Sequence, residues 1–180
     1  MGSEKVPESI AECLARIHGE SFSNSRKAFS SSFILSLIQN SKVVLVNREQ
    51  KGFCLLRLSG KEAEIITVAV LPQFQGMGIG YSILFEALQL IKETECEKIF
   101  LEVDFTNTIA IRLYSKLGFE KCGLRKQYYK NLHGKNTDAL IMEKGLIDPA
   151  IKKYPESSTE WLLQTNIRPH YSLYIDLNAF

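Results

Sequence analysis

Gln75, Gly76, Met77, Gly78, Ile79 and Gly80 form a run in which three glycines stand at alternate positions. Glycines let a turn present its backbone N–H groups with no Cβ atoms in the way. An amphipathic pattern follows from Tyr81 to about Ile91, with Ile83, Leu84, Ala87, Leu88 and Ile91 on one helical face. A helix start contributes unpaired N–H groups and a partial positive charge. The combination is an anion cradle, most often for phosphate. Spacing narrows the ligand. A Walker loop carries Lys-Ser/Thr after its last glycine, whereas Tyr81-Ser82 follows here. A dinucleotide fingerprint reads G-x-G-x-x-G, whereas this run reads G-x-G-x-G.

The loop needs a strand before it and a helix after it. Val68, Ala69, Val70 and Leu71 read as the end of an apolar strand, and Pro72 stops it. Upstream, helices are expected over Glu8 to about Glu20 and over Arg26 to Gln39, the second with Phe29, Phe33, Leu37 and Ile38 inward. Lys42 to Asn47, Gly52 to Leu58 and Glu62 to Val70 then read as an antiparallel meander joined by short polar turns. Downstream, Lys98 to Val103 is a strand. Asn107 caps a helix over Thr108 to Leu117, and Gly118 ends it. Phe119 to Arg125 and Thr137 to Lys144 complete the strands, with Tyr128 to Gly134 as the loop between them. Beyond Gly145 the chain changes character. Ser157-x-x-Glu160 reads as a capping box before Trp161, and Tyr171 to Leu177 as an extra strand, with no chemical motif in either.

The 180 residues point to one domain with an adequate core, and a net charge of +2 gives no argument for nucleic acid or membrane. No apolar run approaches the ~20 residues of a membrane span, and the N-terminus has no apolar signal core. Cys13, Cys54, Cys96 and Cys122 are isolated and read as reduced, mostly buried thiols of a cytoplasmic protein. His18, His133 and His170 are far apart, so no metal is expected.

Gln75-x-x-Gly78-x-Gly80 resembles the pyrophosphate motif of the GCN5-related N-acetyltransferases (GNAT). Two further segments are similar to its RimI-like branch, the ribosomal-protein-alanine N-acetyltransferases. One is Leu101-Glu102-Val103, then Asn107, then Ala110 to Phe119 with its "LYSKLGF" phrase. The other is "YYKNLHG" from Tyr128 to Gly134, before "DALIM" at Asp138 to Met142. The resemblance covers roughly Glu8 to Leu146. It departs at two places. The family's first strand should precede the first helix, where only Lys5-Val6 is available, and the tail from Ile147 is longer than usual.

The resemblance implies an α/β (α+β) fold. Its mixed, mostly antiparallel sheet is flanked by helices, with two splayed strands opening a cleft for acetyl-CoA. Val68, Ala69 and Val70 would pair by backbone with the pantetheine arm. Gln75, Gly76, Met77, Gly78, Ile79, Gly80 and Tyr81 would hold the pyrophosphate, and Asn107 would contact the cofactor. Acetyl transfer to an amine needs a base, a stabilised oxyanion and a proton for the departing thiolate. Glu102, a charge between Leu101 and Val103, is in an unusual place unless it faces a cleft, and it matches the family's general base. Glu64 competes, since other N-terminal acetyltransferases use a carboxylate on that strand, and it otherwise lines the substrate site. Tyr114 matches the family's acid, and a phenol with pKa near 10 stays protonated at neutral pH. Tyr128 and Tyr129 would line the peptide groove.

The expected activity is therefore acetyl-CoA-dependent N-α-acetylation of a protein N-terminus, most plausibly the alanine of a small-subunit ribosomal protein. The alternatives are a small-molecule amine or lysine acetyltransferase and an acyl-CoA-binding regulatory module. Residues 1–146 would form the acetyltransferase domain. Residues 147–180 would be an extension packed on it or on a partner subunit, in a monomer or weak homodimer without metal, nucleic acid or membrane.

Overall fold

A computed structural model describes residues 8–23, 28–130 and 136–146, with backbone alone at 129 and 130. The Lys5-Val6 strand, the expected helix start at Arg26 and the whole extension from 147 lie outside the described residues. The elements are α1 (Glu8–Ser21), α2 (Ser31–Ile38), β1 (Val43–Arg48), β2 (Gly52–Ser59), β3 (Glu62–Val70), α3 (Ile79–Lys92), β4 (Lys98–Asp104), α4 (Thr108–Lys116), β5 (Glu120–Lys130) and β6 (Asn136–Gly145). A 3-10 turn over Pro72–Phe74 joins β3 to the glycine loop.

One six-stranded sheet runs β1-β2-β3-β4-β6-β5. The β1–β3 meander is antiparallel, as its short turns require, and so are β4–β6 and β5–β6. Only β3 and β4 are parallel, and α3 lies in their crossover. Each face of the sheet carries a core. Ile83, Leu84 and Ile91 of α3 pack with Ile65, Ile99 and Leu101 on one face, and Tyr114 and Leu117 join them from the α4 side. Leu14 and Ile17 of α1 pack with Ile34, Leu37, Phe53 and Leu55 on the other.

Two expectations need correction. The second helix starts at Ser31, because Ser30 is the cap and its hydroxyl accepts from the Phe33 N–H at 3.2 Å. The later start sets the inward face at Ile34 and Leu37, so Phe33 is 45% exposed rather than buried. Phe29, ahead of the helix, packs on α1 instead. The loop expected from Tyr128 begins later, since β5 continues through Lys130.

The event that shapes the site is in β3. Leu55 of β2 faces Thr67, but Leu56 faces Ile65, so Ile66 is an extra residue in β3. Such a bulge bends its strand. The parallel register with β4 runs from Glu62↔Lys98 to Ile65↔Leu101 and ends there. Beyond the bulge, β3 and β4 diverge.

Candidate active site

The gap between the diverging strands is a cleft of about 600 Å³. Ile66, Thr67 and Val68 form its β3 wall, and Glu102, Val103 and Asp104 its β4 wall. Tyr114, Asn107 and Ala110 close it from α4, while His18, Phe22 and Phe29 close it from the α1 side. Those two groups belong to opposite faces of the sheet, so the cleft passes through the sheet. Val68 lines it, whereas the Ala69 side chain is buried in the α1 core and Val70 packs against the α3 core. What β3 offers between Thr67 and Val70 on this edge is main chain that β4 no longer pairs.

The glycine loop follows the end of β3. Gly76 and Gly78 have φ of +76° and +79°, and a Cβ at either would meet nothing within 4 Å. Both carbon-free faces open outward, as an anion cradle requires. Gly78 is the N-cap of α3, and Ser82 N–H to the Gly78 carbonyl at 3.0 Å is the first bond of the helix. The N–H groups of Ile79, Gly80 and Tyr81 therefore have no intrahelical acceptor. Gln75 ties the loop back to β3: its Nε2 donates to the Val70 carbonyl at 2.9 Å and its backbone N–H to the Pro72 carbonyl at 3.2 Å. Met77 is 70% exposed at the tip. Tyr81 stacks on Phe85 and carries the Lys116 ammonium over its ring at 5.1 Å.

Asp104, Glu64 and Glu102 sit on or near the β3–β4 seam. Burial would raise Asp104, but bonds from the Thr137 hydroxyl at 2.6 Å and from the Thr106 hydroxyl and N–H at 2.7 and 2.8 Å outweigh it and hold it below the usual range. The Thr137 bond ties the end of β4 to β6. Glu64 is exposed, in a second cavity of about 410 Å³ that it shares with Arg57, Glu62, Phe100 and Arg125. Glu102 lines both cavities. Its carboxylate meets the Arg125 guanidinium at 2.9 Å, and Arg125 lies 4.9 Å from the centre of the Tyr128 ring. Tyr114 is 8% exposed, edge-on to Phe119 at 5.9 Å. Asn107 sits at the rim as a cap, accepting from the Ala110 N–H at 3.1 Å.

Residues 14–119 match the model of the acetyltransferase (GNAT) family. This chain belongs to that family. It is 32% identical over 108 residues to the [ribosomal protein bS18]-alanine N-acetyltransferase of Haemophilus influenzae, covering 60% of this chain and 68% of the relative. It is 30% identical over 121 residues to the N-alpha-acetyltransferase of Sulfurisphaera tokodaii, covering 64% and 70%. The crystal structure of the Escherichia coli ribosomal-protein-S18-alanine N-acetyltransferase superposes with a TM-score of 0.70 at 22% identity, over 81% of this chain and 93% of that one. GNAT membership makes this protein an N-acetyltransferase. The mixed sheet with two diverging strands is the GNAT fold expected from the motifs.

Within this GNAT fold the Tyr128 position depends on an irregularity that the motifs do not reveal. Arg125 pairs with Ala139 but Tyr129 with Thr137, so three residues of β5 oppose one of β6. Gln127 takes φ +53°, and its N–H donates to Asp138 Oδ1 at 2.9 Å. The distortion leaves Arg125 on Glu102 and Tyr128 at the cleft. Arg125 was not anticipated, because the contact joins strands 23 positions apart.

His18 is the other unanticipated wall residue. Its only sequence signal is its place four residues after Leu14, on the apolar face of α1. Phe29 stacks on the imidazole at 4.1 Å, and burial pushes its pKa down from 6.5 to about 4. Between those two values the unfolded chain binds a proton that the folded chain refuses. Stability should therefore decline as pH falls from about 6.5 towards about 4. Urea unfolding near pH 7.5 and near pH 5 checks this. The wild-type midpoint should drop at the lower pH, and the drop should shrink in His18→Phe. An equal drop in both proteins would show that other groups cause it. Of the remaining titratable groups, Cys54 is fully buried and pushed up to about 12, which leaves it unreactive. Cys96 is buried and Cys13 half-buried, but Cys122 is exposed rather than buried. No helix among the described residues is long and apolar enough to cross a membrane, and no cluster of metal-ligating side chains occurs among them.

Proposed function

We propose that this protein transfers the acetyl group of acetyl-CoA to the α-amine of a protein N-terminus, with an alanine-starting ribosomal protein as the favoured acceptor. The single observation that carries this reading is the cleft through the sheet, open to α4 on one face and to α1 on the other, with Glu102 and Tyr114 both on its walls. Donor and acceptor can then approach from opposite faces and meet between the strands. Relatives named for bS18 alanine and for N-α acetylation support the acceptor class.

The glycine loop fits the pyrophosphate, since Gly76 and Gly78 leave open space where side chains would stand and the opening N–H groups of α3 lack acceptors. The unpaired main chain of β3 fits the amide-bearing arm. Bound acetyl-CoA supplies an activated thioester. The amine nitrogen forms the new bond to the acetyl carbon, and the carbon–sulfur bond breaks.

Glu102 takes the ammonium proton in this reading, directly or through one water. An α-ammonium has a reference pKa of about 8 against about 10.4 for lysine, so a carboxylate can assist it near neutral pH. The Arg125 pair does not block this. Arg125 is 53% exposed, and ion pairs open to solvent contribute about 0–1 kcal/mol. An incoming ammonium can exchange with the guanidinium at little cost. Tyr114 holds the proton that the departing sulfur receives, from a hydroxyl that Phe119 and α4 keep in place. Tyr114→Phe should lower kcat about 10–10³-fold with acetyl-CoA affinity nearly kept. Single-turnover kinetics and calorimetry on the same variant check it, and an unchanged kcat would remove Tyr114 from the chemistry.

The polyamine and lysine alternatives gain nothing from the second cavity, where Glu62, Glu64 and Glu102 face Arg57 and Arg125. That lining is close to neutral and would not concentrate a multiply charged amine. Incubation with acetyl-CoA and a panel of N-terminal peptides, their blocked forms and polyamines tests the reading. Acetylation of free but not blocked alanine-starting peptides is expected. Modification of polyamines or lysine side chains alone would overturn it.

A further inference from the structure

The α1 side of the cleft carries a polar side chain that the reaction above leaves unused. His18 is 4% exposed, yet it lines the cleft that Glu102 also lines. The Phe29 N–H donates to Nδ1 at 3.2 Å. An imidazole that accepts on Nδ1 while neutral carries its proton on Nε2. Phe29 is nearly parallel to the ring at 4.1 Å, and Phe22 is tilted against it at 4.6 Å. Nδ1 is thus occupied, and Nε2–H is the donor left on the ring. A donor on the wall of an open cleft is available to a partner that enters it.

The partner's chemistry follows from the charge. A neutral N–H donor suits an uncharged acceptor atom. A charged imidazole would repel the ammonium that Glu102 must receive. In a peptide, a carbonyl oxygen lies three bonds from the N-terminal amine nitrogen, whereas a simple amine has none. We propose that His18 is the acceptor-positioning residue: its Nε2–H donates to the main-chain carbonyl of the acceptor's first residue, and the Phe22–His18–Phe29 stack walls the first side chain. This assignment rests on the peptide reading above and deepens it, because it makes the cleft select peptides over carbonyl-free amines.

His18→Phe keeps an aromatic ring and removes the donor. Its KM for an alanine-starting peptide should rise about tenfold, the worth of one hydrogen bond. Its KM for acetyl-CoA should hold, and so should its kcat/KM for a primary alkylamine of similar size. His18→Gln, which can donate from the equivalent position, should recover part of the loss. A structural role alone would lower thermal stability and shift peptide and alkylamine together. In the wild-type protein, ¹⁵N spectra of labelled histidine give a readout that needs no variant. The ring that stays neutral to about pH 4 should show an Nε2–H signal that moves on adding peptide and holds still on adding alkylamine. Equal KM changes for peptide and alkylamine, no change for either, or an Nε2 signal indifferent to peptide would each overturn the assignment. A wild-type protein that acetylates alkylamines but no peptide would overturn the acceptor reading and this assignment with it.

Discussion

Glu102→Gln is expected to lower kcat about 10²–10⁴-fold while the affinity for acetyl-CoA stays nearly constant. The substitution keeps the shape and volume of the side chain and removes its negative charge, and with it the capacity to take a proton. The fold should tolerate it. The Arg125 pair that it breaks is open to solvent, and the β4 backbone pairs of Leu101, Glu102 and Val103 with β6 are untouched. Glu64→Gln is the matching control. Glu64 lies one cavity away, level with Phe100 rather than on the cleft wall, so its kcat should remain within a few-fold of wild type. Steady-state kinetics with a peptide acceptor and calorimetry with acetyl-CoA decide between them. Loss of turnover in Glu64→Gln but not in Glu102→Gln would mean that the base was assigned to the wrong strand.

Gly78→Val should weaken acetyl-CoA binding about 10–100-fold without unfolding the protein. No protein atom stands where its Cβ would go, so a clash is not the cause. The cause is φ of +79°, a left-handed conformation that costs L-residues about 1–2 kcal/mol and β-branched ones more. The chain relieves that strain by turning the peptide units on either side, and the opening N–H groups of α3 are redirected with them. Hydrogen bonds to a charged group are worth about 1.5–3 kcal/mol, so misdirecting even one is visible as a change in affinity. The buried face of α3, Ile83, Leu84, Ala87, Leu88 and Ile91, begins a full turn later and should keep the helix packed. Calorimetry on a variant with a native-like melting curve provides the measurement. Unchanged affinity would move the pyrophosphate site away from this loop.

Much of this molecule was legible before any coordinates. The β2, β3, β4 and α3 segments lie within two residues of their expected ends, because period-2 and period-3.6 patterns report which face each segment buries. The Asn107 cap and the Gly118 stop of α4 are local too, one a side-chain bond to Ala110 N–H and the other a φ of +85°. α2 was less legible. Its apolar residues fit a longer helix, and the Ser30 cap that shortens it competes with other serines nearby.

Sequence by itself determined the alternation of elements and the glycine turn that opens α3, since each depends on residues a few positions apart. Tertiary structure alone decided where β3 leaves β4. The bulge at Ile66 exists only in the register between β2 and β3, and no periodicity in β3 marks it. The same holds for Arg125 against Glu102 and for His18 on the cleft wall. Those contacts join α1, β4 and β5, and their geometry follows from sheet order and two strand irregularities. Local preferences choose an element's type, but which side chains share a cleft is decided by long-range strand pairing, where a one-residue change of register exchanges the faces.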